Sequence, residues 1–202
     1  KYIDLAEDRE KFSNLLDILD IATPKGCAVR TREEAFEAAP RLGYPLMVRP
    51  SFVIGGRAMQ VVYSDAELDK YLKEAVKISH EHPVLIDKYV EGKEIEVDAV
   101  ADGEDVLIPG IMEHIERTGV PSGDSCSVYP PYSLPQHVID RLISHTKKIV
   151  KALHIVGLVN IQYAWDGDKI YVIEVNPRAS RTVPILSKVT KVPMVKLAVS
   201  VM

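Results

Sequence analysis

Residues 171–182 read YVIEVNPRASRT, and the fold turns on how that stretch is paired. Strand alternation puts Tyr171, Ile173 and Val175 on one face and Glu174 and Asn176 on the other. Pro177 stiffens the exit, and Arg178 and Arg181 follow at once. A carboxylate and an amide on one strand face, running into two guanidinium groups, fit either a solvated edge or a site for a metal and a phosphate.

The preceding apolar run, LVNIQYA at 158–164, is the natural partner strand, with WDGD between the two. Val159, Ile161 and Tyr163 alternate there with Asn160 and Gln162. A two-residue Asp166-Gly167 turn would pair odd positions with even ones and put Gln162 on the core side. A three-residue loop, Trp165-Asp166-Gly167 with the glycine left-handed, pairs like parity with like. Because a one-residue slip turns every side chain over, burial favours the register with one wholly apolar face. The three-residue loop is therefore expected, with Asn160, Gln162, Glu174 and Asn176 together on the polar face. Magnesium or manganese takes oxygen donors, and nucleotide phosphates can complete a cage of one carboxylate and two amides. Guanidinium forks at Arg178 and Arg181 match phosphate or carboxylate oxygens.

At 202 residues the chain can form one large or two small packed units. Hydrophobic residues make up 47% and charged residues 27%, which excludes disordered and fibrous classes. The net charge of −4, with acids and bases interleaved, argues against nucleic acid or a membrane as partner. No apolar run approaches about 18 residues, and KYIDLAEDRE is too charged for a signal peptide. Cys27 and Cys126 lack CxxC spacing and read as reduced thiols of a cytoplasmic protein. The apolar run at the C-terminus reads as a helix cut in mid-course, so a fragment of a larger polypeptide is expected.

The elements predict an α+β fold. Asp4 and Glu7 suit a capping box ahead of a leading helix within 1–20, whose stripe is Phe12, Leu15, Leu16 and Leu19. Residues 21–90 read as a small α+β lobe: a helix from Thr31 that Pro40 kinks or shortens, a strand at YPLMVRPSF, a glycine loop, a strand, a helix capped by Ser64 and Glu67, and PVLIDKYV. Residues 91–202 read as a larger lobe, with strands at EIEVDAV and DVLIPGIM around Asp102-Gly103. Residues 113–133 are expected to be irregular, and either functional or mobile. A long helix follows Ser133 and Pro135.

Other pieces of the chain bear on phosphate chemistry. Gly55 and Gly56, flanked by Arg49 and Arg57, either make a plain turn or let backbone N–H groups approach a polyphosphate. No Walker loop is present. Glu94, Glu96 and Asp98 share a strand face, which is either a water-facing ladder or holds a ribose acceptor at Glu94. Gly119, Ser122 and Gly123 fit an anion nest or an ordinary loop, and Arg9 by itself reads as a surface residue.

In order, AEDR, VRPSF-x-x-GGRAM, EIEVDAV, IMEHIE-x-x-GV-x-SGDS, NIQ and IEVNPRASRT-x-P resemble an ATP-grasp domain of the carbamoyl phosphate synthetase large chain, over nearly all of 1–202. GGRAM is similar to the second, carbamate-phosphorylating half. The resemblance implies two α+β lobes with ATP bound between them. Arg9, Arg49 and Arg57 would approach the phosphates with Gly55 and Gly56, main-chain groups around Lys88 and Val90 would contact adenine, and Glu94 the ribose. Gly119, Val120, Pro121 and Ser122 would line the nucleotide. Gln162, Glu174 and Asn176 would hold Mg2+ or Mn2+, and Arg178 and Arg181 would face the transferring phosphate. Pro121 stands where the family carries histidine and removes a donor, so contact there is expected through Gly119 and Val120.

The implied activity is phosphorylation of carbamate to carbamoyl phosphate by ATP in glutamine-dependent synthesis. It rests on alignment and charge neutralisation, with the glycine loop as cover. The implied partners are the remainder of the large chain and a glutaminase small subunit. The alternatives are another ATP-grasp carboxylate–amine ligase or biotin carboxylase-like enzyme, and a non-catalytic nucleotide-binding module.

Overall fold

Alternating burial along the strands and apolar stripes along the helices sort the chain into two units. The first comprises Lys1–Thr23, Gly92–Glu116 and Cys126–Met202, and the second Pro24–Glu91 and Arg117–Ser125. The structure, a computed structural model, describes residues 9–50, 59–78, 83–120 and 124–202. The expectations for Asp4, Glu7, Gly55, Gly56, Arg57, Pro121, Ser122, Gly123 and the Arg9 side chain lie outside the described residues.

The second unit contains β1 (Gly26–Val29), α2 (Arg32–Leu42), β2 (Leu46–Pro50), β3 (Gln60–Val62), α3 (Asp65–Ile78) and β4 (Val84–Lys88). The strands form one sheet in the order β1-β4-β2-β3. Thr31 caps α2 in a capping box with Glu34, and at the start of α3 the Ser64 hydroxyl accepts from the Glu67 N–H while the Glu67 carboxylate accepts from the Tyr63 N–H. α2 runs through Pro40 and ends two residues later, at Leu42. Only two residues follow the proline before Gly43 ends the helix, so little of the hydrogen-bond ladder is lost. Leu46, Val48, Val62 and Ile86 turn one sheet face into a core with Ala35, Ala38, Leu68 and Leu72 of the two helices.

The first unit opens with α1 (Arg9–Ile18) and continues with β5 (Lys93–Asp102), β6 (Val106–Arg117), β7 (Ser127–Val128), α4 (Gln136–Ala152), β8 (Val156–Trp165), β9 (Ile170–Asn176), α5 (Val183–Thr190) and α6 (Met194–Val201). Its sheet has the order β7-β6-β5-β8-β9. The stretch expected to be irregular from residue 113 begins instead inside β6, where Glu113 and His114 pair with β7. Odd-numbered Ile95, Val97, Val159, Ile161 and Tyr163 pack with Phe12 and Leu16 of α1 and Val138, Leu142 and Ile149 of α4. On the opposite face, Val100, Met112 and Leu158 are covered by Val183, Leu186, Met194 and Ala198 of α5 and α6. That cover takes only one end of the face, and polar residues occupy the rest.

The β8–β9 hairpin corrects the expected loop. Trp165 pairs with Ile170, Ala164 with Tyr171 and Tyr163 with Val172, so odd faces even at the turn. Four residues, from Asp166 to Lys169, make the connection, closed by the Asp166 N–H on the Lys169 carbonyl at 3.2 Å. The Asp166 carboxylate accepts from the N–H groups of Asp168 and Lys169 at 2.9 and 2.8 Å. Beyond Tyr163 the register shifts, and Gln162 pairs with Glu174, Ile161 with Val175 and Asn160 with Asn176. Ile173 is the extra residue of a β-bulge and is 37% exposed, while Ile170, Val172 and Val175 face the core. Tyr171, Ile173 and Val175 therefore do not share a face. The bulge restores the like-parity pairing that the shorter loop was expected to provide.

Candidate functional site

The bulge aligns two polar rows across three strands. Glu96 of β5 pairs with Gln162 of β8, which pairs with Glu174 of β9; Asp98, Asn160 and Asn176 form the next row. Paired residues on antiparallel strands share a face, so all six project from one side of the sheet. The Asn176 amide donates to the Glu174 carboxylate at 2.8 Å, and the Asn160 amide donates to Asp98 at 3.2 Å. Glu94 lies on the same face two residues from Glu96. The three β5 acids are not a water-facing ladder: Glu94, Glu96 and Asp98 are 7, 4 and 0% exposed.

Buried carboxylates need partners, and here each has one. His114 of β6, itself buried, places Nε2 at 3.2 Å from Glu96 and Nδ1 at 3.8 Å from Glu94. Burial alone would push the His114 pKa down. The bond to Glu96 and the charges of Glu94, Glu96 and Glu116 outweigh it and hold the imidazole above its ordinary value. Burial likewise pushes Glu96 up, but the His114 bond and charge, the Thr182 hydroxyl and the Arg181 charge bring it below the usual carboxylate range. For Asp98, burial wins over the bonds from Thr182, Ser180 and Asn160 and raises the pKa.

The loop after β9 returns across this face. Arg178 and Arg181 are exposed, and the Arg178 guanidinium donates to the Ala179 carbonyl at 3.2 Å. Thr182 is the N-cap of α5, yet its side chain makes no capping bond to that helix. Its hydroxyl donates instead to Asp98 and lies 3.4 Å from Glu96. His114, Glu96, Asp98 and Thr182 were not among the sequence-derived site residues, and Asn160 was placed on the polar face without a role. The even spacing of Glu94, Glu96 and Asp98 was the available signal.

Among the described residues, no three His, Cys, Asp or Glu side chains are grouped to hold a metal. The available set is one carboxylate, Glu174, beside the amide-bearing Gln162 and Asn176. Such oxygen donors fit a hard divalent cation whose remaining positions go to water or phosphate.

The second unit holds its own share of the expected residues. Arg49 on β2 lies 3.9 Å from Asp87. The Lys88 ammonium donates to the Gly43 and Tyr44 carbonyls at 3.0 and 2.8 Å, and its backbone N–H donates to Lys25. The Val90 carbonyl accepts from the Thr118 hydroxyl at 2.5 Å, and the Tyr89 hydroxyl donates to the Thr118 carbonyl at 2.6 Å. These bonds fasten the loop carrying Gly119 and Val120. Gly119 has φ +92°, and an added Cβ would sit 3.0 Å from Met47 Cε and 3.3 Å from Tyr89 Cε2. Glycine is required there by both conformation and space.

Comparison with known proteins supplies the fold and the family. The biotin carboxylase–β,γ-ATP complex from Campylobacter jejuni matches over 99% of this chain and 46% of its own, with TM-score 0.85 and 22% identity. The biotin carboxylase domain of Hydrogenobacter thermophilus 2-oxoglutarate carboxylase, solved with MgADP, ADP and bicarbonate, matches over 98% of this chain and 46% of its own, with TM-score 0.83 and 22% identity. At that identity the likeness establishes the α+β ATP-grasp fold alone. Among curated proteins, the carbamoyl phosphate synthase large chain of Clostridium acetobutylicum is 66% identical over 200 residues, covering 99% of this chain and 19% of the relative. The C-terminal section of the Methanocaldococcus jannaschii large chain is 58% identical over 201 residues, covering 99% of this chain and 32% of the relative. This chain thus spans a third or less of the length of these relatives. Residues 8–202 match the model described as carbamoyl-phosphate synthase L chain, ATP binding domain, and the chain belongs to that family.

Proposed function

We propose that this chain phosphorylates carbamate with ATP, yielding carbamoyl phosphate and ADP, within a glutamine-dependent synthase. The observation that carries the reading is the pairing of Gln162 with Glu174, two residues from Asn176, at the foot of the loop bearing Arg178 and Arg181. The 58% identity to a relative described as a C-terminal section supports the carbamate-phosphorylating half.

In this reading Gln162, Glu174 and Asn176 hold Mg2+ or Mn2+ through their side-chain oxygens. A divalent ion there, when bound, offsets negative charge on polyphosphate oxygens. Arg178 and Arg181 neutralise charge on the phosphoryl group in flight and orient the acceptor, which needs positioning more than it needs a base. Glu94 accepts from the ribose, Lys88 and Val90 offer main-chain contacts to adenine, and Gly119 and Val120 line the nucleotide. Pro121 and Ser122 line the nucleotide with Gly119 and Val120, and Arg9, Arg49, Arg57, Gly55 and Gly56 complete the proposed set around the phosphates. The proposed partners are the rest of the large chain and a glutaminase subunit that supplies ammonia. Both cysteines are free thiols, which supports a reducing, cytoplasmic setting.

The test is ATP formation from carbamoyl phosphate and ADP by the full-length protein, with magnesium titrated. Substituting Glu174→Ala should lower the rate by about 10²-fold or more, as expected when charge stabilisation is lost. An unchanged rate, or one indifferent to magnesium, would overturn the ligand assignment.

A further inference from the structure

We infer that Thr182 is a positioning residue: its hydroxyl, bound to the buried carboxylates of β5, fixes the loop that carries Arg178 and Arg181. The inference rests on the role proposed above for the two arginines and adds what holds them in place. A threonine at a helix N-cap ordinarily spends its hydroxyl on its own helix. Thr182 instead reaches 84 residues back along the chain to Asp98, with Glu96 at 3.4 Å.

The bond is embedded on every side. The Ser180 hydroxyl lies 2.7 Å from that of Thr182 and accepts from the Thr182 N–H at 3.1 Å. Asp98, wholly buried, takes a second bond from the Asn160 amide at 3.2 Å. Val183, the next residue, is locked into the apolar cluster beneath α5 and α6. At its other end the loop leaves β9 through Pro177, with the Arg178 N–H on the Asn176 carbonyl at 2.8 Å. The five residues between Asn176 and Thr182 are thus fastened at both ends, and both arginines lie between the fastenings. The Thr182 hydroxyl, together with that of Ser180, links this loop to Asp98 on the central strand. Exposed guanidinium groups on long stems gain precision when their backbone is held in this way.

The decisive comparison is Thr182→Val, which keeps the shape and loses the hydroxyl, against Thr182→Ser, which keeps the hydroxyl. In the full-length protein, Thr182→Val should speed amide exchange at residues 178–182 and leave α4 unaffected. It should also lower kcat for ATP formation from carbamoyl phosphate by about tenfold or more, within the range a small misplacement causes, while the KM for ADP stays within about twofold. Thr182→Ser should restore both readouts. Should Thr182→Val fail to fold, Ser180→Ala carries the same expectation at smaller amplitude. Exchange and kcat like those of the unaltered protein overturn the inference, as does a Thr182→Val loss that Thr182→Ser does not rescue. If the unaltered protein forms no ATP from carbamoyl phosphate, the proposed function fails, and the exchange comparison still decides the role of Thr182.

Discussion

Replacing His114 by leucine should be among the most damaging single changes on the polar face, and its cost should depend on pH. The imidazole lies 3.2 Å from one Glu96 oxygen and 3.8 Å from a Glu94 oxygen, with all three residues below a tenth exposed. At an effective dielectric of about 20, unit charges at the shorter separation attract by about 5 kcal/mol before desolvation is counted. Desolvation removes much of that, but His114→Leu leaves Glu96 and Glu94 buried without their shared cation. Stripping one partner from a buried pair costs about 3–5 kcal/mol. His114 is held above its ordinary pKa of 6.5, so its contribution is complete below that pH and lost as pH rises through the folded value. Glu96 is held below 4.5, so its contribution is present above that pH and lost as pH falls through the folded value. The cost should therefore peak between about pH 4.5 and 6.5 and shrink as pH rises through the folded pKa of His114. Urea unfolding followed through Trp165 reports this unit directly, because it is the only tryptophan in the chain. A cost below about 1 kcal/mol at pH 6, or a cost that does not fall anywhere above pH 6, would refute the pairing as the source of stability.

Deleting Ile173 should leave the site intact: Gln162 stays opposite Glu174 and the ladder becomes regular, so magnesium-dependent activity should survive. Its complete loss would mean that the bulge shapes the site as well as setting its phase. Gly92→Ala should destabilise the first unit by about 1–3 kcal/mol or more, because the new Cβ would lie 2.2 Å from the Trp165 carbonyl oxygen; a near-native melting midpoint would count against this. Thr31→Ala should cost about 1 kcal/mol in the second unit by breaking the capping box, and hydrogen exchange across α2 is the measurement.

Letters that act through periodicity were legible, and letters that act through phase were not. The grouping of Gln162, Glu174 and Asn176 followed from their separation by even steps. The loop did not, because a bulge leaves no composition signature: Ile173 looks like its core neighbours and differs only in having nothing to pair with. Burial of Glu94, Glu96 and Asp98 was equally hidden, since three acids on one strand face normally mean water. Their burial depends on His114 and Thr182, which are distant in sequence. The strand Gly26–Val29 was missed because GCAV is short and carries no alternation. The capping box at Thr31 and the Ser64–Glu67 cap were plain because both partners lie within one turn.

The chain's long excursion into the second unit starts and ends at the same hairpin. Where it departs, the Val172 N–H donates to the Ala22 carbonyl at 2.9 Å and the Thr23 hydroxyl donates back to Val172 at 3.2 Å. Where it returns, Gly92 lies against the Trp165 carbonyl. Both footings are thus stapled to β8 and β9, so the first unit closes on itself whatever the excursion contains. Loop-closure entropy for the excursion grows only slowly with its length. The strands that present Gln162 and Glu174 thus carry the knots that tie down both ends of the excursion.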